Sequence, residues 1–113
     1  MLNTRSVPVD TKHLLLSDAF IVGYYNYIEG VAFETFGDHK FKLNPHLRAK
    51  NISGQAVYEQ GRRFGVLSQL IGVERINWIY QKREVHPDVT AVWVELNRLR
   101  LLDELFVRKA RSK

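Results

Sequence analysis

The sequence predicts a mainly α-helical single domain of about four helices, the first two forming a glycine-packed hairpin. The chain has 113 residues, enough for one hydrophobic core but not for two independent ones. Apolar residues recur every three or four positions in several segments, as on one face of a helix. Two pairs of glycines, Gly23 with Gly30 and Gly61 with Gly65, fall within such segments. We therefore expect residues 1–113 to form one helical domain.

The first predicted helix begins after Ser17 and runs to about Thr35. Serine is a favourable N-cap because its side-chain oxygen accepts a backbone N–H, and Asp18 in the first turn complements the helix dipole. Residues 1–15 contain Pro8 and little periodicity, so we expect them to form an irregular N-terminal arm.

A second helix is predicted from Gly54 to about Ile71, with Ser53 as its N-cap. Between the two helices, residues 40–45 alternate in polarity and end in an Asn-Pro pair, which is typical of an extended linker. Residues 73–85 fit a helix through their apolar spacing, but they alternate well enough for a strand. We favour the helix for this segment.

The last predicted helix begins at Pro87, a residue favoured at the first helical position, and leads into a basic tail over residues 108–113. Its wide apolar face is expected to pack on its own domain. The alternative is that the face forms a homodimer seam or docks onto a host protein. That interface would be formed by Trp93, Leu96, Leu99, Leu102 and Phe106.

The glycines predict close contact between the first two helices. Each interior glycine costs about 1 kcal/mol relative to alanine, and closer backbone approach can offset this cost through dispersion contacts. We expect Gly23 and Gly30 to meet Gly61 and Gly65. In the alternative interpretation, the glycine backbone is exposed so that a ligand or RNA can approach it.

Positive charge is concentrated in the middle of the chain, which as a whole carries a net charge of +5. Residues 41–86 hold eight Lys or Arg against three Asp or Glu, a net +5. Such a stretch is either a solvated face or a surface for a polyanion such as nucleic acid. Arginines bind phosphates, and interleaved aromatic rings stack on unpaired bases, although they are also good core residues. The candidate nucleic-acid-binding residues are Arg48, Lys50, Tyr58, Arg62, Arg63, Arg75, Trp78, Lys82 and Arg83.

Several chemistries lack the residues they need. The chain has no cysteine, which excludes disulfides, thiolate zinc sites and cysteine nucleophiles. Its four histidines form no metal-binding pattern, and there is no glycine-rich phosphate loop or spaced carboxylate pair. We expect no enzymatic activity, no cofactor and no metal. No apolar run reaches 18 residues, so we also expect no membrane span and a cytoplasmic location.

Three segments resemble the small ribosome modulation factor family and its relatives in phages and mobile elements: "AFIVGYYNYIEG" (19–30), "NP" (44–45) and "AVYEQGRRFG" (56–65). The resemblance covers roughly residues 18–66. It implies two short glycine-containing helices joined by a proline-bearing linker, with binding to ribosomal RNA and silencing of ribosomes in stationary phase. Two positions depart from the pattern, because Tyr58 and Arg62 stand where the family usually has tryptophan.

A second resemblance lies in "LSQLIGVERINWIYQKREVHPDV" (67–89), which is similar to the helix-turn-helix of phage-repressor-type domains. It implies a leucine-rich helix, a Gly-Val turn and a recognition helix that reads the major groove of DNA. The stretch between Val73 and Ile76 is about three residues shorter than that pattern.

These observations predict a small non-enzymatic RNA- or ribosome-associated protein, of the kind encoded by phages or mobile elements, that modulates translation. RNA is favoured over duplex DNA as the partner. One alternative is a transcriptional regulator that binds DNA through residues 67–89. Another is an inhibitor, of the phage accessory type, that binds a host protein through its C-terminal helix.

Overall fold

A computed structural model confirms the mainly helical fold. It describes residues 9–35, 49, 52–81 and 84–102, and only the backbone of residues 9, 10 and 79–81. Within these ranges, four helices and two short strands follow one another: α1 (Val9–Leu15), α2 (Asp18–Ile28), α3 (Gly54–Leu70), β1 (Ile79–Gln81), β2 (Glu84–Val85) and α4 (Pro87–Arg98).

Three helix starts lie where the sequence predicts them. The Ser17 hydroxyl oxygen accepts the N–H of Phe20 at the start of α2, and that of Ser53 accepts the N–H of Ala56 at the start of α3. Helix α4 begins with Pro87 at its first position. The predicted N-caps and the predicted start of the last helix are confirmed.

Helix α2 ends at Ile28 rather than near Thr35. Gly30 adopts the left-handed conformation, with φ of 77°, and residues 31–35 continue without regular secondary structure. A glycine in this conformation commonly follows the last turn of a helix because it has no Cβ to clash. The predicted length of the first helix is therefore wrong.

Residues 9–15 form helix α1, where the sequence predicts an irregular arm over 1–15. Seven residues make a marginal helix in water, so tertiary contacts must stabilise it. Leu14 and Leu15 supply them, since both side chains are buried in the core. The irregular-arm prediction is wrong for this part, and residues 1–8 lie outside the described chain.

Helices α2 and α3 pack closely through two glycines. A Cβ atom on Gly23 would overlap the backbone oxygen of Tyr58, and one on Gly61 would overlap that of Phe20. Gly65 faces the ring of Tyr27, whose Cδ2 would lie 2.8 Å from an added Cβ. The glycine-packed hairpin is therefore present.

Gly30 is not part of this packing. A Cβ atom on it would meet nothing within 4 Å among the described residues, and its backbone ends α2. The predicted contact of Gly30 with the second helix is wrong, because α2 stops before it reaches this position.

The core centres on four fully buried aromatic side chains: Phe20 and Tyr24 of α2, Phe64 of α3, and Trp78 in the chain after α3. The rings of Tyr24 and Trp78 lie 4.7 Å apart, and the rings of Phe20 and Phe64 lie 5.6 Å apart between centroids. The indole Nε1–H of Trp78 donates to the carbonyl of Leu15 at 2.8 Å, which fastens α1 to the cluster. All described helices contribute side chains to this one core.

The chain after α3 is extended, so the predicted helix over 73–85 is wrong. Residues 73–78 have no regular structure, and β1 pairs antiparallel with β2. Ile76 and Trp78 are buried, whereas Asn77 between them is exposed. The alternation over residues 76–78 is typical of an extended backbone, because successive side chains of a strand point to opposite sides.

Two tyrosines of α2 hold this extended segment. The Tyr24 hydroxyl accepts the N–H of Ile76 at 2.8 Å. The Tyr25 hydroxyl donates to the Ile76 carbonyl at 2.7 Å and accepts the N–H of Trp78 at 2.9 Å. Burial raises the pKa of the Tyr24 phenol, because the buried phenolate would lose its hydration. The two hydroxyls thus satisfy backbone groups that a neighbouring strand would otherwise pair.

The substitution Tyr25→Phe should lower the free energy of unfolding by about 1–3 kcal/mol, because it leaves two backbone groups without their partner. Urea denaturation followed by circular dichroism would measure the loss. Tyr27→Phe is the matched control on the same helix, since no hydrogen bond of the Tyr27 hydroxyl to a described residue occurs. Equal denaturation midpoints for the two variants would show that the Tyr25 hydroxyl does not anchor the segment.

Candidate nucleic-acid interface

The apolar face of α4 lies mostly inside the domain. Trp93 is 8% exposed, Leu96 is fully buried and Leu102 is 4% exposed. Their prediction as a partner interface is wrong, because the core of the same chain already covers them. Leu99 is exposed, and Phe106 lies outside the described residues.

The two described aromatic residues that were predicted to stack on bases are fully buried. Trp78 lies in the aromatic cluster, and the Tyr58 hydroxyl accepts a hydrogen bond from the side-chain amide of Asn26 at 3.2 Å. Neither ring presents a face to solvent, so the base-stacking prediction is wrong for both. Residue type alone does not separate a core aromatic from a stacking one, since both uses need a large ring.

The predicted cations fall into two groups. Arg62, Arg63 and Arg75 are described, whereas Arg48, Lys50, Lys82 and Arg83 lie outside the described residues. Arg75 forms an ion pair with Glu29 at 2.9 Å, and its guanidinium lies 4.7 Å from the centroid of the Tyr25 ring. Its charge is therefore partly balanced within the protein.

Arg62 and Arg63 line an open cleft of about 400 Å³ beside α3. Both follow Gly61, whose Cα presses against α2, so the helical turn directs Arg63 away from the packed face. Arg63 is exposed and Arg62 is partly buried. The side chains that line the cleft are Tyr27, Phe33, Glu59, Arg62, Arg63 and Val66.

The cleft is bordered by the segment 31–35, here called the strap, through Phe33. Arg62 Nη1 donates to the carbonyl of Val31 at 2.8 Å, and Gln55 Nε2 donates to the carbonyl of Glu34 at 3.0 Å. The seven residue-to-residue steps of α3 from 55 to 62 rise about 10 Å, nearly the length that the three steps from 31 to 34 cover in extended chain. The strap therefore lies along α3 in matching register, fastened at two points.

The strap presents Phe33 at the cleft. This ring is 53% exposed, a large fraction for an aromatic side chain. The Arg62 guanidinium carbon lies 5.9 Å from the ring centroids of both Phe33 and Tyr27, within the range of cation–π attraction. Arg62 thus links the strap to α2 and holds a positive charge between two rings.

Sequence reasoning missed Tyr27 and Phe33 as site residues. The sequence predicts Phe33 within the first helix, because that helix is expected to continue to Thr35. Gly30 was the signal that could have placed Phe33 in an exposed segment, since glycine often ends a helix. The role of Tyr27 depends on the position of Arg62, which no local pattern reports.

The described residues contain no cluster of three or more His, Cys, Asp or Glu side chains placed to hold a metal ion. None of the helices described is both long enough and apolar enough to cross a membrane. Comparisons with protein-family models, curated proteins and solved structures found no match to this chain. The resemblances to ribosome modulation factors and to a phage-repressor-type helix-turn-helix therefore both stay predictions. Residues 73–78, where the second resemblance places a recognition helix, have no regular structure.

Proposed function

We propose that the protein is a small, non-enzymatic RNA-binding protein that associates with ribosomes and modulates translation. The observation that carries the proposal is the pair Arg62–Arg63, which lines an open cleft beside Tyr27, at the edge of the contact between α2 and α3. The net charge of +5 favours a polyanionic partner.

The two arginines have different tasks in this proposal. Arg62 is held in place by its hydrogen bond to Val31, which uses only one of the N–H groups of the guanidinium. Arg63 is exposed, so a phosphate can reach its guanidinium from solvent. A guanidinium that contacts a phosphate supplies affinity that depends on salt but not on sequence.

RNA is favoured over duplex DNA because the segment expected to read the major groove is not a helix. Reading a DNA sequence requires a helix or a strand pair that enters the major groove. The segment predicted to be the recognition helix is extended instead, and Ile76 and Trp78 within it are buried. A shallow cleft beside a cationic helix face suits the irregular shape of folded RNA.

The substitution Arg63→Glu should weaken binding to ribosomal RNA about tenfold or more, since it replaces a charge-assisted hydrogen bond by repulsion. The slope of log affinity against log salt concentration should fall by about one. Fluorescence anisotropy over a series of salt concentrations measures both quantities.

Arg100→Glu is the control, because it makes the same change of charge at an exposed residue outside the cleft. Both variants should keep the helical circular dichroism spectrum of the original protein. Equal losses of affinity for the two variants would show that only net charge matters and would remove Arg63 from the interface.

Association with ribosomes can be tested in the cells that naturally encode the chain. The tagged protein should co-sediment with ribosomal particles on a sucrose gradient, and nuclease treatment should release its partners. A protein that stays at the top of the gradient and keeps the same partners after nuclease treatment would contradict the proposal. Partners that resist both nuclease and salt would indicate a protein target instead.

A further inference from the structure

We infer that the cleft between the strap and α3 binds one unpaired base of single-stranded RNA, with Phe33 as the stacking surface. This inference rests on the proposed function and adds the form of RNA that the site recognises. It is carried by three features of the cleft: a half-exposed aromatic ring, a backbone that holds the ring in place, and charges suited to a nucleotide.

The Phe33 ring is positioned by its backbone rather than by burial. Hydrogen bonds reach the strap from Arg62 on one side of Phe33 and from Gln55 on the other. The ring nevertheless remains 53% exposed, although an aromatic side chain gains free energy when its apolar surface leaves water. A base stacked on it would cover that surface, and little conformational freedom would be lost because the strap is already fastened.

The Phe33 ring has aromatic and cationic neighbours. The ring centroids of Tyr27 and Phe33 both lie 5.9 Å from the guanidinium carbon of Arg62. The Tyr58 ring also neighbours Phe33, with 6.1 Å between the centroids and 49° between the ring planes. Bases stack on aromatic rings and on arginine planes alike in proteins that bind single strands. A base placed on Phe33 would continue the series of flat groups that these side chains begin.

The cleft contains a cation that suits the phosphate of a nucleotide, Arg63, and an anion that suits the N–H groups of a base, Glu59. Arg63 can donate to the phosphate, whereas the carboxylate of Glu59 repels a phosphate and can accept an N–H group of a base. The cleft volume of about 400 Å³ is at the lower end of the range for small-molecule sites, which suits one nucleotide. Bases within a duplex remain stacked on each other and cannot enter, so the site requires an unpaired base.

The test compares the original protein with Phe33→Ala and Phe33→Trp, using a fluorescein-labelled single-stranded RNA decamer of mixed sequence. Phe33→Ala should weaken binding about tenfold or more, and Phe33→Trp should bind at least as tightly as the original protein. Leu70→Ala is the matched control, because Leu70 is 70% exposed and lies outside the cleft. It should bind the decamer with unchanged affinity.

A comparison of three probes separates base stacking on Phe33 from RNA binding in general. The decamer annealed to its complement should bind more weakly than the single strand, and adenosine monophosphate should compete only at much higher concentration. Unchanged binding by Phe33→Ala, or equal affinity for single strand and duplex, would overturn the inference while leaving RNA binding intact. Competition by the mononucleotide at equal concentration would make a free nucleotide the occupant. No binding of either RNA by the original protein would overturn the proposed function itself.

Discussion

Replacing Gly61 by alanine should lower the free energy of unfolding by about 3 kcal/mol, the upper part of the range for overpacked cores. An added Cβ would overlap the carbonyl oxygen of Phe20, which belongs to the backbone of α2 and cannot rotate away. The two helices would have to move apart, and their shared core would lose contact. At an open position within a helix, the same change raises the free energy of unfolding by about 1 kcal/mol. A decrease for Gly61→Ala would therefore indicate that α2 packs closely against this position. Urea denaturation followed by circular dichroism measures it.

Two other glycines serve as graded controls for Gly61. Gly65→Ala should cost less, because the nearest atom belongs to the side chain of Tyr27, which can shift. Gly30→Ala should cost about 1–2 kcal/mol from its left-handed backbone alone, since open space surrounds it among the described residues. A Gly61→Ala variant more stable than the original protein would show that α2 and α3 do not pack in this way.

Removing the indole of Trp78 by substitution with alanine should cost about 3–5 kcal/mol, the range measured for large buried aromatic side chains. Trp78 contacts three other buried rings and donates its Nε1–H to the Leu15 carbonyl. Since small domains have a total stability of about 5–15 kcal/mol, this variant should be close to unfolding. Thermal and urea denaturation followed by circular dichroism would measure the loss.

Trp78→Phe is the informative control, because it keeps most of the aromatic packing and removes only the hydrogen bond to Leu15 and part of the ring. It should cost less than the alanine variant and retain RNA binding. The comparison with Phe33→Ala distinguishes a core residue from a binding residue, since Phe33→Ala should weaken RNA binding and leave the stability of the protein unchanged. A stable Trp78→Ala protein that no longer binds RNA would reverse the two assignments and return Trp78 to the interface.

The sequence alone was sufficient wherever the deciding interactions are local. Ser17 and Ser53 cap helices through N–H groups three residues away, and Pro87 starts α4 because its fixed φ suits a first turn. The packing of Gly23 and Gly61 was also predictable, since glycines within amphipathic helices need a compensating contact. These features depend on residue type and spacing, which the sequence states directly.

Only the tertiary structure decided how residues 73–85 fold and which aromatic rings reach solvent. Ile76 and Trp78 are extended because hydroxyl groups of Tyr24 and Tyr25, about fifty positions earlier in the chain, satisfy their backbone. The apolar pattern of that segment was compatible with either structure, and the contact that chose between them is not local.

The candidate site shows the same division. Arg62 and Arg63 were predictable as cations next to a packing glycine, and helical geometry already directed Arg63 away from α2. The sequence did not predict that Tyr58 and Trp78 are buried and that Tyr27 and Phe33 line the cleft instead. The burial of a ring depends on the side chains that pack around it in the folded protein. The sequence determined which residues of the candidate site carry positive charge, because charge is a property of the residue type. The tertiary structure determined which aromatic rings lie beside them, because the exposure of a ring depends on the side chains packed around it.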